Sequence, residues 1–131
     1  MTNQPSQYSF RATKIVNGKE ICNLPNVFTN AGCTALCAVI LRRTLYVANA
    51  GDSRAVLCHA GGEVTALSFD HKPKQVQEKK RINSAGGFVT KKGRVNGNLN
   101  LSRAIGDLKY KQVPGIAPSK QIITAEPDIK K

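Results

Sequence analysis

The feature that most constrains the fold is an apolar run that is broken once and then resumes. Residues 34–41 are almost continuously apolar, Arg42 and Arg43 interrupt the pattern, and residues 44–50 continue it. The run is rich in β-branched residues, and each half has the length of a strand rather than that of a helix. It therefore predicts two adjacent β-strands that are buried on both faces.

Turns and further short apolar segments follow this pair. A Gly-Asp-Ser turn at residues 51–53 and an Ala-Gly-Gly turn at residues 60–62 bound two segments that have strand patterns, residues 54–59 and residues 63–68. Four consecutive strands, arranged antiparallel, are thus expected over residues 34–68. Near the start of the chain, Asn17-Gly18 lies between two short apolar segments and is typical of a β-hairpin turn.

A helix is expected after the strands. Lys72-Pro73 opens it, because proline suits the first turn of a helix, where its missing N–H is not needed. Gly86-Gly87 closes it, since glycine reaches the left-handed conformation of a helix end without strain. Short strands are predicted at residues 88–90 and in the tail, within residues 122–129. Together the segments predict an α+β fold with antiparallel sheets.

The positive charge of the chain is concentrated in one segment. Lys and Arg number 20 against eight Asp and Glu, so the formal net charge is +12. Residues 72–111 hold eleven basic and two acidic residues. The segment is either a solvated basic face or a surface that attracts phosphate, for example on a phosphoprotein. Only Phe88 and Tyr110 could stack on bases within it, which argues against dedicated nucleic-acid binding.

Apolar run length and cysteine spacing bound the location of the protein. The longest unbroken apolar run has seven residues, whereas a membrane-spanning helix needs roughly 20. The first ten residues lack the pattern of a secretory signal. Cys22, Cys33, Cys37 and Cys58 lack the usual zinc-site spacing and are interpreted as buried small apolar side chains in a reducing compartment. We expect an intracellular protein, cytoplasmic or nuclear or both, with no membrane attachment.

Two aspartates are candidates for metal chemistry because each follows a glycine at the end of an apolar segment. Asp52 follows residues 44–50 and Gly51, and Asp107 follows Ile105-Gly106. Carboxylate oxygens in such positions suit Mg²⁺ or Mn²⁺. A plain Gly-Asp turn is the alternative at both positions. Asp70-His71, immediately before the expected helix, reads either as an acid–base pair or as the cap of that helix.

Several short motifs stand in a fixed order along the chain. They are GCTA at 32–35, VANAGDSR at 47–54, DHKP at 70–73, RINSAGG at 81–87, GRVNG at 93–97 and LNLSRAIGD at 99–107. The ordered set resembles the PP2C (PPM-type) family of metal-dependent protein serine/threonine phosphatases. The resemblance covers about residues 31–131 and corresponds to the central part of the family domain. Residues 1–30 are treated as a divergent N-terminal segment.

The resemblance implies both a fold and a chemistry. The fold would be an α-β-β-α sandwich with antiparallel sheets, incomplete in this chain, and the activity would be hydrolysis of phosphoserine and phosphothreonine in phosphoproteins by a metal-activated water. Asp107 would be a ligand of the binuclear Mg²⁺ or Mn²⁺ centre, and Asp52 would help to hold an additional ion. Gly51 and Gly106 would shape the backbone, and residues 72–96 would form the flap that contributes to substrate choice. No side chain is assigned as a catalytic acid, base or nucleophile, and no substrate-binding residue is identified.

Several family motifs are not found in residues 1–131. They are the Asp-Gly-His-Gly-Gly motif with the bridging aspartate, the early Glu-Asp motif, the arginine that grips the substrate phosphate, and the late Asp-Asn motif. The chain therefore reads as a fragment of an active phosphatase or, alternatively, as a catalytically inactive binding or regulatory module. We expect the 131-residue chain alone to show no appreciable phosphatase activity, because two aspartates hold a divalent ion weakly. The sequence carries no signal for an oligomeric state.

Overall fold

The computed structural model describes residues 13–22 and 30–131 and shows an α+β fold with antiparallel sheets. In chain order the strands are β1 (Thr13–Val16), β2 (Lys19–Cys22), β3 (Gly32–Cys33), β4 (Ala35–Leu41), β5 (Thr44–Ala50), β6 (Val56–Cys58), β7 (Val64–Ala66), β8 (Ile105–Gly106) and β9 (Asp128–Lys130). The helix α1 (Val76–Ser84) lies between β7 and β8, and two 3₁₀ turns span Leu108–Tyr110 and Pro118–Lys120. The strands pair as β1-β2, β3-β8, β4-β5-β9 and β6-β7.

The broken apolar run forms the β4–β5 hairpin, as its pattern predicts. The two strands are antiparallel, with Ala35 opposite Ala50 at one end and Leu41 opposite Thr44 at the other. The turn is made by the two arginines that interrupt the run, and Arg42 takes a left-handed φ of 57°. A two-residue turn of this kind fits the twist of the strands that it joins.

The prediction that both strands of this hairpin are buried on both faces is wrong for β4. From Cys37 to Leu41 the strand is exposed, and Ile40 shows 77% of its surface to solvent. The cause is position in the sheet: β5 lies between β4 and β9, whereas β4 is an edge strand. In β5 the side chains of Val47, Asn49 and Ala50 are buried. Apolar composition therefore identified the strands but not which of them is covered.

Both predicted flanking hairpins are present. β1 and β2 pair around Asn17-Gly18, whose φ angles of 51° and 73° are those of the turn expected for this dipeptide. β6 and β7 form the third and fourth strands, each shorter than its sequence pattern. Residues 88–90 form only an isolated bridge, through Val89. The tail contributes one strand, β9. Earlier in the tail, Thr124 makes only a single bridge, to Arg103, and so forms no strand.

The helix ends where the sequence predicts and begins later. The helix ends in a cap that two backbone hydrogen bonds close: Gly87 N donates to Ile82 O at 2.9 Å, and Gly86 N donates to Asn83 O at 3.0 Å. Its start is at Val76, since Pro73 lies in the turn before it. The nine residues of α1 are too few to cross a membrane, and no helix in the described part of the chain is long and apolar enough to do so.

One apolar core lies between α1 and the irregular segment that follows it. Five buried side chains form this core: Ile82, Val95, Ala104, Tyr110 and Ile123. Four partly buried side chains pack against it: Val89, Leu99, Leu101 and Ile122. The segment from residue 88 to residue 124 is thus held by side-chain packing, although it contains little regular structure.

The interpretation of the cysteines as buried is wrong for those whose surroundings are described. Cys33, Cys37 and Cys58 are free thiols, and all three are exposed. Cys37 lies on the edge strand β4, and Cys58 lies on β6 in a two-stranded hairpin, so the same lack of cover that exposes β4 exposes them. The side chain of Cys22 lies outside the described part.

Candidate metal centre

Asp107 is placed by the short ladder between β3 and β8. Gly32 lies opposite Gly106 in this ladder, and Asp107 N donates a hydrogen bond of 2.7 Å to Ala31 O. Glycine is required at position 106, because its φ is 77° and a Cβ there would overlap Ala31 O. Asp107 itself has a left-handed φ of 50°. Aspartate is one of the few non-glycine residues that adopt this conformation readily.

The carboxylate of Asp107 is enclosed and has no hydrogen-bond or ion-pair partner among the described residues. The residue is 4% exposed, and its carboxyl group packs so closely on Gly32 that a Cβ at position 32 would overlap it. Burial raises the pKa of the Asp107 carboxyl above its usual range, and the charges of Lys111 and Lys109 offset this only in part. The Lys111 ammonium donates to Ala104 O at 2.6 Å rather than to Asp107.

Asp52 lies in the turn that follows β5. Gly51, directly before it, is buried and contacts Thr34, and a Cβ at position 51 would overlap the Thr34 side chain. Thr34 Oγ1 is 2.7 Å from Ser53 Oγ, which fixes the other side of the same turn. The Asp52 carboxylate is partly exposed and forms an ion pair with the Lys72 ammonium. Gly51, like Gly106, is therefore a residue that shapes the backbone, as the sequence motifs imply.

The structure brings the two aspartates to neighbouring turns. Asp107 packs on Gly32, and the turn that carries Asp52 packs on Thr34. Residues two apart in an extended segment point to the same face and lie about 7 Å apart along it. Both Gly-Asp turns thus contact residues 32–34, and the predicted pairing of the two carboxylates stays a prediction.

Hydrogen bonds of His71 hold the turn that carries Asp52 and connect this turn to the segment that follows α1; these bonds are called the His71 clamp. His71 N donates to Gly51 O at 2.9 Å, and Gly51 N donates to His71 Nδ1 at 3.1 Å. Because Nδ1 accepts, a neutral His71 carries its proton on Nε2, which lies 3.2 Å from Asp128 Oδ2. Ser102 N donates to His71 O at 3.0 Å. His71 is 3% exposed, so the clamp is shielded from water.

Neither of the two interpretations of Asp70-His71 matches this geometry. Asp70 accepts two hydrogen bonds from Arg54, at 2.7 and 3.0 Å, and these bonds hold the pKa of the Asp70 carboxyl below its usual range. The two side chains therefore have different partners. The cap of α1 is Gln75, which makes no side-chain capping bond. Asp70 and His71 instead fix the segment before the helix.

A buried ion network lies behind this clamp. Glu78, 3% exposed, accepts hydrogen bonds from Arg103 Nη2 at 2.8 Å, Arg81 Nη1 at 2.6 Å and Ser102 Oγ at 2.6 Å. Burial raises the pKa of the Glu78 carboxyl, but these hydrogen bonds outweigh burial and leave the pKa below its usual range. Arg103 Nη1 also donates to Asp128 Oδ1 at 2.7 Å, so the network reaches the partner of His71.

The sequence offered one signal for this network, which pattern reading did not use. Glu78 is one of only two acidic residues in the strongly basic segment 72–111, and Lys79, Lys80 and Arg81 follow it directly. A single carboxylate in such surroundings is a candidate for a paired, buried acid. Its partners Ser102 and Arg103 are more than 20 residues away in sequence, so local patterns could not identify them.

Comparison with known proteins identifies the family. A family model described as Protein phosphatase 2C matches residues 2–131. The chain belongs to the protein phosphatase 2C family. The resemblance and the α+β fold class inferred from the sequence are thereby confirmed. The match begins at residue 2, and the division of the chain at residue 30 stays a prediction.

One curated relative and two solved structures show the extent of the likeness. Protein phosphatase 2C 1 from Paramecium tetraurelia is 58% identical over 101 residues, which are 77% of this chain and 33% of the relative. A phosphatase from a pathogenic strain of Toxoplasma gondii, known from a crystal structure, has 47% sequence identity to this chain and a TM-score of 0.63, and the match covers 65% of this chain and 26% of that phosphatase chain. The serine-threonine phosphatase 2C from Toxoplasma gondii is 25% identical with a TM-score of 0.60, over 78% of this chain and 37% of the other. The chain thus spans about a third of the length of the Paramecium relative.

Family membership implies metal dependence in general terms, and the aspartates can be tested for fit. A divalent ion would supply the positive charge that the enclosed Asp107 carboxylate lacks, and both candidates offer the hard oxygen ligands that Mg²⁺ and Mn²⁺ prefer. Across residues 13–22 and 30–131, no group of three or more His, Cys, Asp and Glu side chains is arranged to hold a metal ion. The described residues therefore fit an ion that has two protein carboxylates at most.

Proposed function

We propose that this chain serves in the metal-dependent hydrolysis of phosphoserine and phosphothreonine in proteins. Asp107 and Asp52 are the proposed ligands of Mg²⁺ or Mn²⁺. When bound, the divalent ion supplies Lewis-acid chemistry: it lowers the pKa of water and neutralises phosphoryl oxygens. The observation that carries the proposal is the nearly buried Asp107 residue, whose carboxylate has no hydrogen-bond or ion-pair partner among the described residues, in a chain of the protein phosphatase 2C family.

The residues of the chain hold these ligands in position. The β3–β8 ladder orients Asp107 towards the face of residues 32–34, and the paired bonds between His71 and Gly51 fix the turn that carries Asp52. Lys72 neutralises Asp52 by an ion pair, so a cation that binds Asp52 has to compete with the Lys72 ammonium. For this reason we expect Asp52 to contribute less to metal affinity than Asp107.

The proposed substrate is a phosphoprotein. The support is the excess of basic residues in segment 72–111, which attracts phosphate and acidic protein surface, and the scarcity of aromatic platforms for bases. The proposed location is the cytoplasm or the nucleus, since exposed free thiols such as Cys37 and Cys58 persist in a reducing compartment. Recovery of a tagged chain in a secreted fraction would contradict this location.

A catalytically inactive binding module is the second candidate. It is favoured by the Asp52–Lys72 ion pair, which satisfies one candidate ligand without a metal, and by the lack of a third nearby metal-ligating side chain among the described residues. Such a module would bind phosphoproteins through the same basic surface without hydrolysing them.

A chimera separates the two candidates. Residues 31–131 would replace the matching segment of the Paramecium protein phosphatase 2C 1, and turnover of a phosphothreonine peptide would be measured with Mn²⁺. We expect an active chimera whose kcat falls by at least about 100-fold in Asp107→Asn, because the metal loses a direct ligand. In Asp52→Asn, a moderate rise in the Mn²⁺ concentration needed for activity is expected. An inactive but folded chimera, beside an active parent, would favour the binding module.

A further inference from the structure

A basic groove lies along one side of α1. It has a volume of about 630 Å³ and runs between α1 and the loop that leads into the Pro118–Lys120 turn. Lys80 and Arg81 line it from the helix, Lys120 lines it from the loop, and Ile116 and Ala117 add apolar surface. Among the described residues that line it there is no carboxylate. Its position and lining are not used by the candidate metal centre.

The wall opposite α1 is held by a buried side chain. Gln121 is 4% exposed, and its amide nitrogen donates to Val113 O and to Ile116 O, each at 2.9 Å. Its amide oxygen accepts from Val113 N at 3.0 Å. Arg81 Nε donates to Gln121 O at 3.1 Å and so ties this wall to the helix. The groove is therefore built before any ligand arrives, which lowers the entropic cost of binding.

The cations of the groove differ in what they are free to bind. Arg81 is committed to the Glu78 carboxylate and to the backbone oxygens of Ser102 and Gln121. Lys80 and Lys120 are exposed and make no ion pair within the described part of the chain. The adjoining pockets do contain carboxylates: Glu126 lines the pocket on the other side of Ile116, and a pocket that shares Arg81 and Lys120 with the groove is lined by Glu78, Glu126 and Asp128. Among these three pockets, the excess of positive charge in the described lining is therefore a property of the first groove.

We propose that this groove docks an acidic segment of a protein, with Lys80 and Lys120 facing its carboxylates and Ile116 contacting one apolar side chain. The identification of that protein as the phosphatase substrate rests on the proposed function, whereas the docking itself does not. Charge complementarity selects an acidic peptide, because two free ammonium groups flank apolar surface. Nucleic acid is disfavoured, since the part of the lining that the structure describes offers no aromatic side chain for base stacking.

The test is a binding titration with the full 131-residue chain. The probe is a short fluorescein-labelled peptide rich in Glu with a single Leu, followed by anisotropy, beside the same peptide with every Glu replaced by Gln. The groove variant is Lys80→Glu/Lys120→Glu. The matched control is Arg42→Glu/Arg43→Glu, which changes the net charge equally at two exposed cationic residues outside the groove and outside segment 72–111. Circular dichroism establishes that each variant is folded.

We expect the wild-type chain to bind the Glu peptide and not the Gln peptide. The affinity for the Glu peptide should fall at least about tenfold in the groove variant and less than about twofold in the control variant, because nearby charge pairs dominate over distant ones at physiological salt. Ile116→Ala tests the same groove without a change of charge and is expected to weaken binding. Equal weakening by both charge variants would overturn the proposal, as would preference for a labelled single-stranded RNA. If the wild-type chain does not bind the Glu peptide while the chimera is active, the groove proposal alone is rejected. If the wild-type chain binds the peptide while the chimera is inactive, the proposed function alone is rejected.

Discussion

The helix side of the molecule and the strand side are both rich in apolar residues, but they place them differently. On the helix side, α1 and residues 88–124 enclose Ile82, Val95 and Ile123 completely. On the strand side, residues 35–66, the hairpins expose Ile40, Val56 and Val64 by more than half of their surface. An irregular segment can thus be well packed, while regular strands leave their apolar side chains in water.

The two sides therefore contribute differently to the stability of the fold and to its capacity for binding. Buried apolar area and buried ion pairs stabilise the helix side, which also carries Asp107 and the basic groove. The strand side exposes apolar side chains on two separate sheets, and exposed apolar side chains that cluster into a large patch mark a contact with other protein. Substitutions at pairs of like residues, one from each side, separate these contributions.

The largest difference is expected between two glutamates. Glu78→Ala should lower the free energy of unfolding by about 3–5 kcal/mol, because it leaves two arginines buried without their partner. Glu63→Ala, at an exposed residue without an ion pair in the described structure, should change it by less than about 0.5 kcal/mol. Urea unfolding followed by circular dichroism measures both. Similar values for the two variants would break the comparison.

Two isoleucines test the packing directly. Ile82→Ala removes a fully buried side chain and should cost about 2–5 kcal/mol, since it loses apolar burial and leaves a cavity. Ile40→Ala, at a side chain that is 77% exposed, should cost less than about 0.5 kcal/mol. A large effect of Ile40→Ala in the same unfolding assay would mean that β4 is covered in solution.

Two histidines test the link between the sides. His71→Ala should cost about 1–3 kcal/mol, because Gly51 N and Asp128 lose a buried partner. His59→Ala removes only an exposed contact with Thr65 and should be close to neutral. Thermal unfolding compares them. If His71→Ala were as mild as His59→Ala, the clamp would not connect the Asp52 turn to the helix side.

The smallest expected effect is a pH dependence. The folded state holds the pKa of Glu78 below its usual range, so the stability from this group is present above about pH 4.3, the ordinary value, and is lost as the pH falls through the folded-state pKa. The groups that face this carboxylate are Arg81, Arg103 and Ser102. Arg103 also contacts Asp128, which in turn lies next to His71.

The measurement is urea unfolding of wild type and Glu78→Gln at pH 7 and at pH values below 4. The stability difference between the two proteins should shrink on acidification, because protonation of Glu78 makes the wild type resemble the variant. The matching difference for Glu63→Gln should stay near zero throughout. A Glu78→Gln difference that is constant with pH would contradict the assignment of Glu78 as an ionised, hydrogen-bonded group.

Local signals in the sequence predicted local structure well. Asn17-Gly18, the Arg42-Arg43 interruption and Gly86-Gly87 each set a turn or a helix end through contacts within a few residues, and all three are where they were expected. The ordered motifs also identified the family. The roles of Asp52 and Asp107 as metal ligands stay predictions, although the structure brings their turns to one segment.

Contacts between distant residues explain what the sequence did not predict. The exposure of β4 depends on which strand becomes the edge of a sheet, and that is decided by β9, almost 90 residues later. Before the late start of α1, Asp70 and His71 are held by hydrogen bonds with Arg54 and Gly51, which lie at least 16 residues earlier in the chain. The roles of Glu78 and Gln121 likewise arise from partners that the fold supplies.

Binding of Mn²⁺ to the full 131-residue chain, followed by electron paramagnetic resonance of the free ion, tests the central claim that Asp107 is a metal ligand. The wild type should bind Mn²⁺ with a Kd on the order of millimolar, since few carboxylates are available. Binding should be lost in Asp107→Asn and unchanged in Glu126→Gln, which alters an exposed acid elsewhere on the helix side. Equal Mn²⁺ binding by the wild type and a folded Asp107→Asn variant would contradict the account.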